Sequence, residues 1–197
     1  IDKLGNLLFL STAGTLYSLD LVNNKKINWI YNFNQNNQII FDAKPIIVTD
    51  DSIYISTNNK IVAFNFDGRR KWEFDINSKV SPAISGNIIY TVSQNNNLVL
   101  IKKDTGEIFY SENIHSIIKD SINKDYKKKI KIFNKLLLLN KKILLISDNS
   151  YFVELGMEKK IILNSIKRNA FKISSNLIFI KNNMIFLGED KKIYKIN

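Results

Sequence analysis

The chain has 197 residues, of which 45% are hydrophobic and 24% charged. That is the composition of a folded domain and excludes wholesale disorder, and no apolar run is long enough to cross a bilayer as a helix. The formal charge of +11 invites a nucleic-acid reading, but only Arg69, Arg70 and Arg168 among the 29 cations are arginine. Lysine in place of arginine, with abundant Ile and Asn, is what an AT-rich coding sequence produces, so no nucleic-acid partner is expected.

There is no cysteine, and His115 is the one histidine. A disulfide, a thiolate metal site, a cysteine nucleophile and a histidine cluster are therefore excluded. The chain begins at Ile1 without an initiator methionine. It is read as a processed or trimmed piece, and any targeting segment would lie upstream.

Along the chain, five segments align without a gap: "LFLSTAGTLYSL" (8–19), "IYISTNNKIVAF" (53–64), "YTVSQNNNLVLI" (90–101), "LLISDNSYFVEL" (144–155) and "IFLGEDKKIYKI" (185–196). Their third position is aliphatic: Leu10, Ile55, Val92, Ile146 and Leu187. Their fourth is small: Ser11, Ser56, Ser93, Ser147 and Gly188. Turn residues follow, then a second apolar run. Each segment reads as a β-hairpin, because the runs are too short for helices and are punctuated by Asn, Asp and Gly. The small column predicts close approach of a neighbouring sheet or strand.

Before four of the hairpins lies another apolar run: "KPIIVTD", "SPAISGN", "NKLLLLN" and "SNLIFIK". After the first three comes a polar turn and an aromatic residue: Trp29, Trp72, and then Phe109 or Tyr110. In "NFDGRRKWEF" an Asp-Gly turn leads directly into Trp72. Four strands per unit, recurring about every 40 residues, predict an all-β fold of four-stranded antiparallel β-propeller blades. The aromatics are expected to pack between blades, since a large ring seals adjacent sheets. Residues 1–197 thus hold about five repeat units, and "HSIIKDSINKDYKKKIK" (115–131) interrupts them. There Ile118, Ile122, Tyr126 and Ile130 recur every four residues, allowing a short amphipathic helix or an ordered loop. Its cluster Lys127, Lys128 and Lys129 is a candidate docking element for an acidic partner or anionic surface; the alternative is a solvated loop.

The pattern resembles the PQQ-like repeat, in which a small-residue strand end, a turn and an apolar strand precede "D-x-x-T-G-x-x-x-W". "LIKKDTGEIFY" is the nearest match; "DLVNNKKINW" keeps Trp29 without the glycine, and "ELGMEKKIIL" has lost the aromatic. Within that superfamily the chain is most similar to the outer-membrane β-barrel assembly lipoproteins of the BamB family. The resemblance implies a C-terminal portion of a larger, eight-bladed ring, and a non-enzymatic scaffold in the periplasm, associated with the outer membrane. It implies an envelope protein partner, an outer-membrane barrel assembly component, with membrane association only through an upstream lipid anchor.

The rival within the superfamily is a fragment of a PQQ-dependent dehydrogenase; a ligand-binding or sensor propeller is the third reading. The acids Asp50, Asp51, Asp104, Asp120, Asp148, Glu189 and Asp190 are scattered at turns, where Asp is usually structural. No phosphate loop, nucleophile elbow or EF-hand loop is present. No catalytic, cofactor-binding or metal residue is therefore assigned, and no cofactor is expected.

Overall fold

A computed structural model describes residues 1–22, 26–33, 42–121, 126, 129–158, 160–180 and 183–196. The described chain forms two compact units, Ile1–Glu112 and Asn113–Asn197. Unit 1 contains β1 (Asn6–Leu10), β2 (Thr15–Asp20), β3 (Ile27–Asn32), β4 (Ile47–Val48), β5 (Ile53–Ser56), β6 (Lys60–Phe64), β7 (Arg70–Asp75), β8 (Ala83–Ser85), β9 (Ile88–Val92), β10 (Asn97–Lys102) and β11 (Ile108–Asn113, its last residue in unit 2). Unit 2 contains α1 (Ile114–Ser121), β12 (Phe133–Leu139), β13 (Lys142–Ser147), β14 (Tyr151–Met157), β15 (Ile161–Arg168), β16 (Ile178–Ile180), β17 (Asn183–Leu187) and β18 (Ile193–Ile196).

The strands assemble in chain order into antiparallel sheets: β1-β2-β3, β4-β5-β6-β7, β8-β9-β10-β11, β12-β13-β14-β15 and β16-β17-β18. This is the all-β, β-propeller-blade architecture, and each of the five aligned segments forms the hairpin at the heart of one sheet. The hairpins β1–β2, β9–β10, β13–β14 and β17–β18 close through three-residue loops whose last residue lies in the left-handed region: Gly14, Asn96, Ser150 and Lys191. That is the type I turn plus bulge geometry.

The second hairpin corrects the gapless alignment. Its loop is one residue shorter, and Thr57, not Ser56, opens the turn, donating its N–H to the Lys60 carbonyl at 2.8 Å. Isolated bridges tie Thr57 to Ala43, Ser93 to Ser78 and Gly188 to Ile173, so these three residues are equivalent. Ser56 instead pairs with Ile61 inside the sheet, where the other hairpins place Leu10, Val92, Ile146 and Leu187. It is buried, and its hydroxyl has no partner among the described residues.

The reason for the small column also changes. The Oγ of Ser11, Ser93 and Ser147 accepts the N–H of Thr15, Asn97 and Tyr151 at 3.1, 3.2 and 2.9 Å, and Thr57 Oγ1 accepts that of Lys60 at 3.2 Å. A short hydroxyl side chain braces the turn locally, as Ser and Thr do in loops. At Gly188 space is the limit: a Cβ there would lie 2.6 Å from the Tyr194 ring and from Asp190 Oδ1.

In unit 1 the second sheet is covered on both faces. Leu8, Leu16, Ile53, Ile55, Val62 and Phe64 form one core with Trp29 against it. Tyr54, Ile61, Ala63, Trp72, Ile89 and Ile101 belong to the other, with Ile84 packed on it. Strand alternation sends neighbouring residues into different cores. Each core is locked by a tryptophan. Trp29 Nε1 donates to the Phe66 carbonyl at 2.8 Å, and Trp72 Nε1 donates to that of Lys103 at 2.9 Å. Both rings lie on the turn glycine of the following sheet: a Cβ at Gly68 would come 2.6 Å from Trp29, and one at Gly106 2.7 Å from Trp72. Both glycines also have positive φ, +84° and +75°. Glycine is needed twice over, for the backbone and for the ring.

In unit 2, Ile143, Leu145, Val153 and Leu155 line the fully buried face of the fourth sheet. Asn113 caps α1 by accepting the His115 N–H at 3.0 Å. The buried stripe of the helix is Ile114, Ile117 and Ile118, at the spacing of one helical face, and α1 packs on β15. The interruption thus contributes to the core of unit 2 and is not a wholly solvated loop. Of the expected stripe, Ile118 and Ile130 are buried, Tyr126 is half-buried, and Ile122 lies outside the described residues.

Ring packing and turn register each set the cost of a substitution. Gly106→Ala should cost about 2–4 kcal/mol, combining a left-handed backbone with overpacking against the ring. Gly86 has φ +57° and open space around it, so Gly86→Ala should lose only the backbone part, about 1 kcal/mol. Urea denaturation checks both, and equal losses would remove ring contact as the reason for Gly106. Ser56→Val should stabilise by about 1 kcal/mol, because it removes a buried unpartnered hydroxyl at a position aliphatic in the other sheets. A melting temperature at or below that of the parent chain would count against this register.

Candidate functional site

The lysine cluster is only partly within the described chain. Lys127 and Lys128 lie outside the described residues. Lys129 is exposed; its Nζ sits 5.8 Å from the centre of the Tyr126 ring, and its carbonyl accepts from Asn149 Nδ2. Of the aromatics, Trp29 and Trp72 pack on the turn glycines Gly68 and Gly106. Tyr110, not Phe109, takes the equivalent third place in its strand, and its hydroxyl donates to Glu112. Burial, and then that bond, push the Tyr110 pKa up.

Among the described residues no three His, Cys, Asp or Glu side chains come together as a metal site would require. A polar clip does join the second and third sheets beside Trp72. Thr49 Oγ1 donates to Asp51 Oδ1 at 2.7 Å, and Lys103 Nζ reaches the same oxygen at 3.1 Å. The Thr49 bond and then Lys103 hold the Asp51 pKa below the ordinary carboxylate value, while Asp51 raises that of Lys103. Each group stabilises the charged form of the other, which suits a clip and not proton transfer.

Unit 2 contains a different feature. A groove of about 520 Å³ runs between the fourth and fifth sheets, lined by Leu139, Asn140, Leu144, Phe152, Glu154, Ser165, Lys167, Phe179, Met184 and Ile196. The pairings explain it. Leu144, Glu154 and Ser165 form one cross-strand row, and Phe152 and Lys167 stand in the next. Opposite them, Phe179, Met184 and Ile196 form a row across the fifth sheet.

The same register runs through unit 1. Trp29 pairs with Ser18, Trp72 with Ala63 and Ser165 with Glu154, and in each case a bulge follows at once, leaving Asn28, Lys71 or Asn164 as the extra residue. Ser165 therefore stands where the first and second sheets carry tryptophan. Leu144, Phe152 and Glu154 stand where the second sheet has Tyr54, Ile61 and Ala63, and Phe179, Met184 and Ile196 where the third has Ile84, Ile89 and Ile101. The groove is the counterpart of a closed core, with alanine replaced by Glu154 and tryptophan by Ser165.

Its polar groups are ordered. Glu154 Oε1 accepts from Lys142 Nζ at 2.9 Å and from Asn164 Nδ2 at 3.3 Å. The Lys142 bond, then that of Asn164, lowers the Glu154 pKa, and Lys167 adds to the effect. Lys167 itself is exposed and makes no ion pair among the described residues. The arrangement offers apolar walls with an anchored carboxylate and a nearby cation. It suits binding of a side chain more than bond chemistry. The aromatic missing from the fourth unit is the one signal of this opening in the sequence. Nothing in the sequence displays that Glu154 and Ser165 share a row.

The family sequence model described as "Outer membrane protein assembly factor BamB" matches residues 4–112, which include both tryptophan-docked turns. No curated protein gives a significant match. BamB from Moraxella catarrhalis is similar in structure with a TM-score of 0.59 at 14% identity, over 99% of this chain and 67% of that one. A protein of unknown function from Bacteroides caccae gives 0.58 at 14% identity, over 98% of this chain and 73% of that one. At such identity these likenesses speak for the fold alone. With the family match spanning more than half of its length, the chain belongs to the BamB family of outer membrane protein assembly factors.

Proposed function

We propose that the chain is a non-enzymatic scaffold of the bacterial envelope, periplasmic and associated with the outer membrane, that supports assembly of outer-membrane β-barrel proteins through protein–protein contacts. The observation that carries this reading is the family match across residues 4–112. The physical design is compatible with it. The sheets of unit 1, pinned to one another by ring, glycine and hydrogen bond, present their loops in fixed positions, and preorganised loops bind with less ordering cost. The groove of unit 2 adds an apolar surface of the kind that partner contacts use.

The test is direct binding. The immobilised chain should retain a detergent-solubilised outer-membrane barrel assembly component, whereas an unrelated propeller should not. Calcium and pyrroloquinoline quinone added to the purified chain should leave its melting temperature unchanged. Absence of retention would defeat the scaffold reading, and tight quinone binding accompanied by alcohol oxidation would replace it with the dehydrogenase reading.

A further inference from the structure

Resting on the scaffold reading, we propose that the groove of unit 2 is a docking slot for an aromatic side chain carried on an extended, acidic segment of a partner protein.

The closed core of unit 1 gives the shape of the missing group. Between the second and third sheets, Trp72 lies over Ala63 and closes the core. Between the fourth and fifth, Ser165 and Glu154 occupy those two places, and about 520 Å³ stays open. The remaining walls are still apolar. Phe152 and Met184 line the slot, and Phe179, 42% exposed, offers a ring face to an incoming aromatic. A ring entering here would bury apolar area as Trp72 does, and would meet Phe179 in the offset or edge geometry that aromatic pairs favour.

Charge selects the bearer. Glu154 is already neutralised by Lys142 and bonded to Asn164. Lys167, cross-strand from Phe152, is exposed and without an ion pair among the described residues. Two lysines, Lys142 and Lys167, thus act on one carboxylate, and a second carboxylate next to the aromatic complements the cation in excess at the rim. A second copy of the chain is a poor occupant, because each copy carries a formal charge of +11 and like charges repel. An extended segment suits a slot between two sheet faces, since it turns one side chain inward and its neighbours outward.

The experiment uses the 197-residue chain and a fluorescein-labelled peptide with one tryptophan between two aspartates on an alternating Ser/Thr backbone. Fluorescence anisotropy should show saturable binding, weakened about tenfold or more when the tryptophan becomes alanine or the aspartates become lysine. Ser165→Trp should abolish peptide binding, because the chain then fills the slot with its own ring. Lys167→Glu, a surface change that leaves the fold intact, should reverse the preference toward the lysine-flanked peptide. No binding to the parent chain, or equal binding to parent and Ser165→Trp, would overturn the slot. So would concentration-dependent self-association that Ser165→Trp removes, since the occupant would then be a second copy. Retention of the barrel assembly component is scored separately. Intact retention without peptide binding would sink the slot alone, and peptide binding without retention would support the slot and remove the assembly partner.

Discussion

The contact between a tryptophan and the turn glycine of the following sheet is what unit 1 depends on. The indole needs a flat place to lie and an acceptor for its N–H. A left-handed glycine supplies the first, and the turn carbonyl two residues after the third strand, or one in the third sheet, supplies the second. Burying a ring of this size is worth roughly 5 kcal/mol before ordering costs. The arrangement is also directional. Gly68 receives the ring of the first sheet, while Trp72, four residues on, serves the third. The spacing from Gly to Trp is therefore not one contact but the two ends of successive contacts.

The electrostatics play a secondary part. Most ion pairs are on the surface, such as Lys102–Glu107 and Lys172–Glu189, and pairs of that kind contribute little to stability. The Thr49–Asp51–Lys103 clip differs in position, since it spans two sheets beside the indole of Trp72 and fixes the loop before β5. Excess lysine keeps sheet edges from pairing at random. It also leaves cations in surplus over acids, of which Lys167 stands beside an apolar opening.

The hairpins are legible in the sequence because turn residues and apolar alternation act locally. All five segments pair as hairpins, and the runs ahead of four of them are the first strands of their sheets. The tryptophans are recognisable as packing residues because buried rings leave few other uses. What escapes the sequence depends on counting across a turn. "STNNK" aligns with "SQNNN" by eye, yet its loop is one residue shorter, and only the hydrogen bond from Thr57 to Lys60 displays the shift. The helix stripe begins one turn before the expected series: Ile114 extends the same four-residue period from Ile118, and Ile117 joins it at the three-residue spacing of one helical face. The groove is the least legible feature. It arises from a glutamate and a serine on different strands that only the bulge brings opposite each other.

That bulge has an evolutionary consequence. It follows the same pairing in the first, second and fourth sheets, whichever residue sits there, and a bulge aims a side chain by bending the backbone beneath it. Aim is thus inherited from the main chain, while filling is left to the side chain. The codons TGG and TCG differ by a single base. An array built this way can exchange a sealed seam for an open one by one point mutation, with no insertion, no change of register and no rebuilding of the neighbouring sheet. Duplication of such units would spread identical seams, and drift at one codon would then be enough to give each copy its own surface.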